Sequence, residues 1–164
     1  MLIDTSYFTE CERQIMNAVK EPKNANEMAV KACIEGYIAS LEDGFMRRML
    51  GKELAALATG KTGEGEVVED SLAYKCLGDK LKESFAYYVF FHILRDMNHT
   101  ATITGLVQLK CANSYVSTIR RQVSAWNAMV DRNRDFLEWV RTDGCPYKVR
   151  VSIDMLTYIN QMNL

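Results

Sequence analysis

The sequence predicts a mainly all-α fold of four to five helices in a bundle-like arrangement, with one short extended or β-hairpin arm. Three observations carry this. Glycine and proline number only 9 and 2 in 164 residues, too few turn formers for a many-stranded sandwich. Apolar residues recur every three or four positions over long windows, the period of a half-buried helix. Once only, over residues 100–110, that period gives way to β-branched residues around a glycine, which favours extended chain.

The first helix is expected over residues 6–19, where Phe8, Cys11, Ile15 and Val19 share a face. Pro22 and the polar residues 23–26 break it, and Asn26 offers an N-cap with Glu27 in the first turn. Residues 28–58 read as helix, bent near Asp43-Gly44. One apolar stripe runs through Ile34, Tyr37, Ile38, Leu41, Phe45, Met49, Leu50, Leu54 and Leu57. Residues 59–70, with three glycines in six residues, read as a mobile surface loop. A helix over 71–97 carries the aromatic run at residues 85–91, apolar nearly all round and so expected to be central. After the 100–110 arm, Asn113 or Ser114 caps a long helix reaching about Arg141. Its expected core face is Val116, Ile119, Val123, Trp126, Val130, Phe136, Leu137 and Val140. Residues 147–151 alternate like a short strand, and Ser152 opens a last helix through Tyr158 and Met162.

The length favours one domain over residues 1–164, large enough to bury roughly 70% of its unfolded surface. Twenty basic against 21 acidic side chains is too even a balance for a dedicated nucleic-acid binder. The balance hides a mild polarity: residues 1–82 hold 11 basic and 14 acidic groups, residues 83–164 hold 9 and 7. The start has no basic region leading into an apolar core, so no signal peptide is expected. Five cysteines 22 to 43 residues apart, with no CxxC pair, read as free, mostly buried thiols in a reducing cytosol.

Candidate chemistry is sparse, and no enzyme activity and no cofactor are expected. Gly60-Lys61-Thr62 suggests a phosphate loop, but the position five residues before Gly60 is Ala55 and a helix precedes the loop, where the motif needs glycine and a strand. His92, Asp96 and His99, at i, i+4 and i+7, would share a face of an unbroken helix and could ligate a metal. A core or interface His92 with a hydrogen-bond partner is the reading preferred here. No Gly-x-Ser-x-Gly elbow is present. Arg47-Arg48, Arg120-Arg121, Arg132 and Arg134 fit solvated faces with a few ion pairs, or docking to an acidic surface, with a DNA-lined channel as a weaker variant. Tyr87, Tyr88, Trp126, Trp139 and nine methionines supply core, with some left for interfaces.

Three stretches, in this order, resemble a known family. Tyr37-Ile38-Ala39-Ser40-Leu41-Glu42-Asp43-Gly44-Phe45-Met46-Arg47-Arg48-Met49-Leu50-Gly51-Lys52-Glu53-Leu54 is similar to a helix near the start of head–tail connector proteins of tailed bacteriophages. Ala86-Tyr87-Tyr88-Val89-Phe90-Phe91-His92, followed by Thr102-Ile103-Thr104-Gly105-Leu106-Val107, resembles that family's aromatic helix and T-x-x-G-(V/L)-V arm. Asn113-Ser114 leading into Val123-Ser124-Ala125-Trp126-Asn127-Ala128-Met129-Val130 resembles the following long helix, particularly in phages of Bacteroidetes-type hosts. Met46 stands where the family often has leucine, and residues 145–164 have no counterpart.

The resemblance implies a structural virion protein of the head–tail neck, assembled in the host bacterial cytoplasm. It implies a homo-oligomeric ring, twelve-fold to match a portal, contacting the portal protein and a tail or stopper protein. DNA would pass through the lumen without specific binding, and no membrane is involved. Thr102, Ile103, Thr104, Gly105, Leu106 and Val107 become the candidate intersubunit or portal arm. Lys61, Tyr147, Lys148 and Arg150 become candidate axial contacts. A cytosolic helical module that binds and regulates a partner protein is the alternative.

Overall fold

The computed structural model describes residues 1–9, 11–59, 71–97, 99–102, 105–108, 118–142 and 147–162. Its described residues are mostly helical. Helix α1 spans Ala25–Leu50, α2 Lys52–Thr59, α3 Ser71–Met97 and α4 Ile119–Thr142. Two four-residue strands, β1 (His99–Thr102) and β2 (Gly105–Gln108), pair antiparallel with Thr102 opposite Gly105.

The chain does not open on a regular helix over 6–19. Short 3₁₀ turns at Thr5–Phe8 and Cys11–Arg13 lead into irregular chain that reaches Asn17 at φ 63°. Side chains compete with the helix ladder here: Asp4 Oδ1 accepts the Ser6 N–H at 2.9 Å, and the Thr9 hydroxyl donates to the Ser6 carbonyl at 2.9 Å. Tertiary contacts then hold the segment in place. Phe8 is fully buried, and Arg13 stacks 4.4 Å over the Tyr87 ring and pairs with Glu83 at 2.8 Å.

Helix α1 is capped by Asn24, two residues before the cap expected at Asn26. Asn24 Oδ1 accepts the Glu27 N–H at 2.9 Å, and Glu27 Oε2 accepts the Lys23 N–H at 2.6 Å, so both capping acceptors serve orphan donors at once. The bend expected at Asp43-Gly44 falls instead at Gly51, where φ 85° and ψ 166° describe a backbone only glycine adopts freely. Its N–H closes α1 on the Arg47 carbonyl at 3.0 Å, and its carbonyl accepts the Ala55 N–H at 3.0 Å to start α2. Gly51→Ala is expected to cost about 1–3 kcal/mol by that strain, visible as a lowered urea midpoint. A Gly44→Ala control stays near the parent, since Gly44 lies inside a helix with open space around it.

Helix α3 is the central element, packed against α1, α2, α4 and the first 3₁₀ turn. Its second half is buried on most sides: Leu81, Phe85, Ala86, Val89, Phe90 and Ile93 all lie in the core. Phe45 of α1 meets it between Phe85 and Tyr88, with ring centroids 5.1 and 5.2 Å away. On the other side Trp126 of α4 packs edge-on to Phe91 at 4.9 Å.

Helix α4 presents the expected apolar face only in part: Val130 and Phe136 are buried as expected, and Trp126 and Val140 pack against the core. Gln122, Ala125, Met129, Val130, Asn133 and Phe136 are buried, whereas Ile119 is exposed and Val123, Trp126, Leu137 and Val140 are only partly buried. Val116 lies outside the described residues. The two buried amides are satisfied by neighbours. Gln122 Nε2 donates to the Leu94 carbonyl of α3 at 3.1 Å; the Ser84 hydroxyl donates to Asn133 Oδ1.

Residues 147–162 form a strap over α1 and α4. Tyr147, Val149 and Val151 pack on the core while Lys148 and Arg150 face solvent, so the alternation is present without the strand expected there. The last helix expected from Ser152 onward is a single 3₁₀ turn, Ile153–Leu156, followed by irregular chain. The turn's Met155 and Leu156 carbonyls are taken by α4 side chains, while the Asp154 carbonyl accepts the Thr157 N–H and the Ile153 carbonyl the Thr157 hydroxyl. Of the five cysteines expected to be mostly buried, Cys33 and Cys76 are exposed, each on the outward face of its helix; the side chains of the other three lie outside the described residues.

Candidate functional site

Sequence reasoning placed candidate contacts in the 100–110 arm, at Lys61 in the 59–70 loop and at Tyr147, Lys148 and Arg150. The first is the strand pair. It follows α3 after one residue, packs on itself and on the end of that helix, and among the described residues no third strand joins it. Each strand of a two-stranded sheet keeps one edge of unpaired N–H and C=O groups, a template for another chain. Thr102, Gly105, Leu106 and Val107 lie in these strands, Val107 opposite Thr100 and Leu106 opposite Ala101. Ile103 and Thr104 lie outside the described residues, as do Lys61 and nearly all of the loop read at 59–70.

The strap holds the other axial candidates. Tyr147 is half-buried against the core, while Lys148 and Arg150 stand exposed without an ion-pair partner among the described residues. The strap is clasped to α1 by the Ser152 N–H on the Arg48 carbonyl at 2.8 Å and by the Arg48–Asp154 pair at 3.2 Å.

Most of the arginines singled out in the sequence are engaged within the chain. Arg47 pairs with Asp43 at 3.0 Å and Arg132 with Asp135 at 3.5 Å. Arg121 donates to the carbonyls of Glu12 and Gln14 at 3.2 and 3.1 Å and stacks 5.0 Å over Phe90. Arg134 donates to the Leu156 carbonyl at 3.2 Å. Arg120 is exposed and has no such partner among the described residues. What sequence reasoning missed is the set of α4 side chains that hold the strap, Trp126, Asn127, Asn133 and Arg134. Polar residues at helical spacing gave no signal that their partner is backbone.

His92 and Asp96 lie on α3, but the helix ends at Met97 and His99 begins β1, so the three do not share a helical face. Asp96 accepts from the Tyr37 hydroxyl at 3.3 Å and pairs with Arg95 at 3.1 Å. Among the described residues no three histidine, cysteine, aspartate or glutamate side chains gather as a metal site would need.

The hydrogen-bond partner expected of His92 is not found at its Nε2. Its Nε2 is buried with none among the described residues, because the ring is walled by aromatic faces, Tyr88 at 4.6 Å and Phe91 at 5.4 Å. Burial pushes its pKa down to about 4, and the Arg95 charge adds to this. An unfolded chain protonates His92 near 6.5 while the folded one does not. His92 therefore favours folding above pH 6.5, and that advantage drains away as pH falls from 6.5 to 4. Allowing for partial solvent screening, the loss is about 1–2 kcal/mol. Urea midpoints for the parent and His92→Phe should diverge between pH 7 and pH 4.5, the parent falling further; parallel curves would refute this.

Compared with family models, with curated proteins and with solved structures, the chain finds no match. Among the described residues no helix is long and apolar enough to cross a membrane.

Proposed function

We propose that this chain is a structural, non-enzymatic head–tail connector of a tailed phage. Copies would close a ring beneath the portal vertex, bridge head to tail through portal and tail or stopper proteins, and leave DNA a path through the lumen. The observation that carries the reading is the order of three segments along the chain. A buried aromatic stretch in α3 is followed directly by a strand pair and then by a long helix, the order in which the resembling stretches occur. A strand pair that no third strand joins among the described residues is a suitable element for contact between subunits, since main-chain hydrogen bonds ask little of the side chains. The surplus of acidic groups before residue 83 and of basic groups after it suits a head-to-tail contact, which needs two unlike faces per subunit.

Replacing residues 100–110 by a short glycine–serine linker tests the role given to the strand pair. The deletion is expected to abolish assembly on the portal while leaving the melting temperature of the helical body close to that of the parent. A body that melts with the deletion makes the strand pair part of the fold and removes it as the contact element.

A further inference from the structure

We propose that the cavity between α3, α4 and the second 3₁₀ turn binds a compact zwitterion of the α-amino-acid class, its two charges taken by Arg121 and Glu12.

The cavity measures about 310 Å³, at the small end of the range of ligand sites, roughly 300–1,000 Å³. Three elements wall it. Tyr87 and Phe90 line it from α3, Arg121, Ser124 and Ala125 from α4, and Glu12 from the 3₁₀ turn. Arg121 ties two of these walls together, because its Nη2 donates to the Glu12 and Gln14 carbonyls at 3.2 and 3.1 Å. Both bonds leave from one nitrogen, so Nε and Nη1 keep donors without a hydrogen-bond partner among the described residues. Glu12 meets Arg121 only through its carbonyl. Its carboxylate accepts the Tyr87 hydroxyl at Oε2, 3.3 Å away, and forms no ion pair among the described residues.

Two opposite charges therefore line one cavity without pairing with each other. The neighbouring charges are matched elsewhere, Arg13 with Glu83 at 2.8 Å and Arg132 with Asp135 at 3.5 Å. A lone anion drawn to Arg121 would meet the Glu12 carboxylate, and a lone cation drawn to Glu12 would meet the guanidinium. An aromatic cage for a cation is closed as well. Arg121 already covers the Phe90 ring at 5.0 Å, and Arg13 covers the Tyr87 ring at 4.4 Å. A ligand with both charges satisfies both walls: its carboxylate takes the remaining guanidinium donors and its ammonium takes Glu12. The exposed Ser124 hydroxyl, without a hydrogen-bond partner among the described residues, adds a neutral donor and acceptor. Ala125, 4% exposed, puts only a methyl group on its wall, which leaves space for a short apolar side chain. The assignment does not rest on the connector reading.

Saturation-transfer NMR on the full chain tests it with three ligands, L-valine, valinamide and N-acetylvaline. The method reads weak ligands on a single copy and on a ring alike. L-Valine is expected to bind at least ~10-fold more tightly than valinamide, which lacks the carboxylate, and than N-acetylvaline, which lacks the ammonium. Glu12→Gln is expected to erase the preference over N-acetylvaline and to keep the preference over valinamide. Ser124→Leu, at an exposed position on the cavity wall, fills the space and is expected to abolish binding of all three. No transfer to L-valine, or equal affinity for the capped forms, would overturn the proposal, and neither result depends on a variant. Glu12→Gln weakening all three ligands alike, or leaving L-valine unaffected, would overturn the role given to Glu12. L-Valine binding that survives Ser124→Leu would place the ligand outside this cavity. Ring formation does not enter these readouts, so failure here leaves the connector reading standing and failure of that reading leaves this one.

Discussion

Phe45→Ala is expected to destabilise the fold by about 4 kcal/mol, lowering the melting temperature by about 8–16 °C for a domain of this size. Phe45 is fully buried on α1 and is the contact through which α1 meets the centre of α3, between Phe85 and Tyr88. Truncation removes the transfer energy of a whole ring. It also leaves a cavity that two helices, stiffened by their own ladders, cannot close. Phe45→Leu keeps most of the volume and should cost less than half as much. Thermal melts of the two variants against the parent check both statements; equal losses would mean that aromatic geometry rather than volume dominates the site.

Asn133→Ala is the second large effect, expected at about 3 kcal/mol. Asn133 is 0% exposed and serves two partners at once, accepting from Ser84 of α3 and donating to the Met155 carbonyl of the strap. Its loss leaves a buried hydroxyl and a buried carbonyl without partners, each carrying its own desolvation cost. Ser84→Ala alone should cost about 1 kcal/mol, and the double variant about 3 rather than about 4, because the second substitution removes a group the first had already orphaned. Urea unfolding of the four proteins in the cycle reads this directly. Strict additivity would show that the two side chains are not coupled.

These two residues also mark where the sequence was legible and where it was not. Phe45 sits on the apolar stripe of α1, and α3 runs over the very residues, 71 to 97, that its periodicity outlined. Both follow from helical spacing, which apolar side chains report by themselves. Asn133 and Gln122 were invisible to the same reasoning. A buried amide looks like a surface residue until its partners are known, and here those partners are a hydroxyl and backbone carbonyls distant in sequence. The face of α4 was misjudged for that reason: Val123 and Leu137 were preferred to the amides that bond the strap and α3. Gly51 was passed over in favour of Gly44 because composition does not distinguish a glycine within a helix from one that ends it. Residues 6–19 have helical spacing, yet Asp4, Ser6 and Thr9 divert the local hydrogen bonds and the segment stays irregular. Of the candidate contact residues, Thr102, Gly105, Leu106 and Val107 fall in the strand pair. The basic residues were read as one class although the fold engages most of them internally. Lys148 and Arg150 keep their charges in solvent.

The strap and the strand pair divide the molecule's surface by chemistry. Among the described residues no third strand joins the pair at 99–102 and 105–108, and backbone groups at 155–159 are claimed by α4. An assembly built from such a subunit would rest on main-chain hydrogen bonds more than on ion pairs, because most of its arginines are spoken for. Its stability should then depend weakly on salt over the range in which surface ion pairs are screened.

The most direct measurement is the mass and shape of the full chain by light scattering and negative-stain imaging, alone and mixed with a tailed-phage portal protein. Rings, formed alone or on the portal, are the predicted result. A chain that stays monomeric and never binds that portal at any concentration tested would contradict the connector reading.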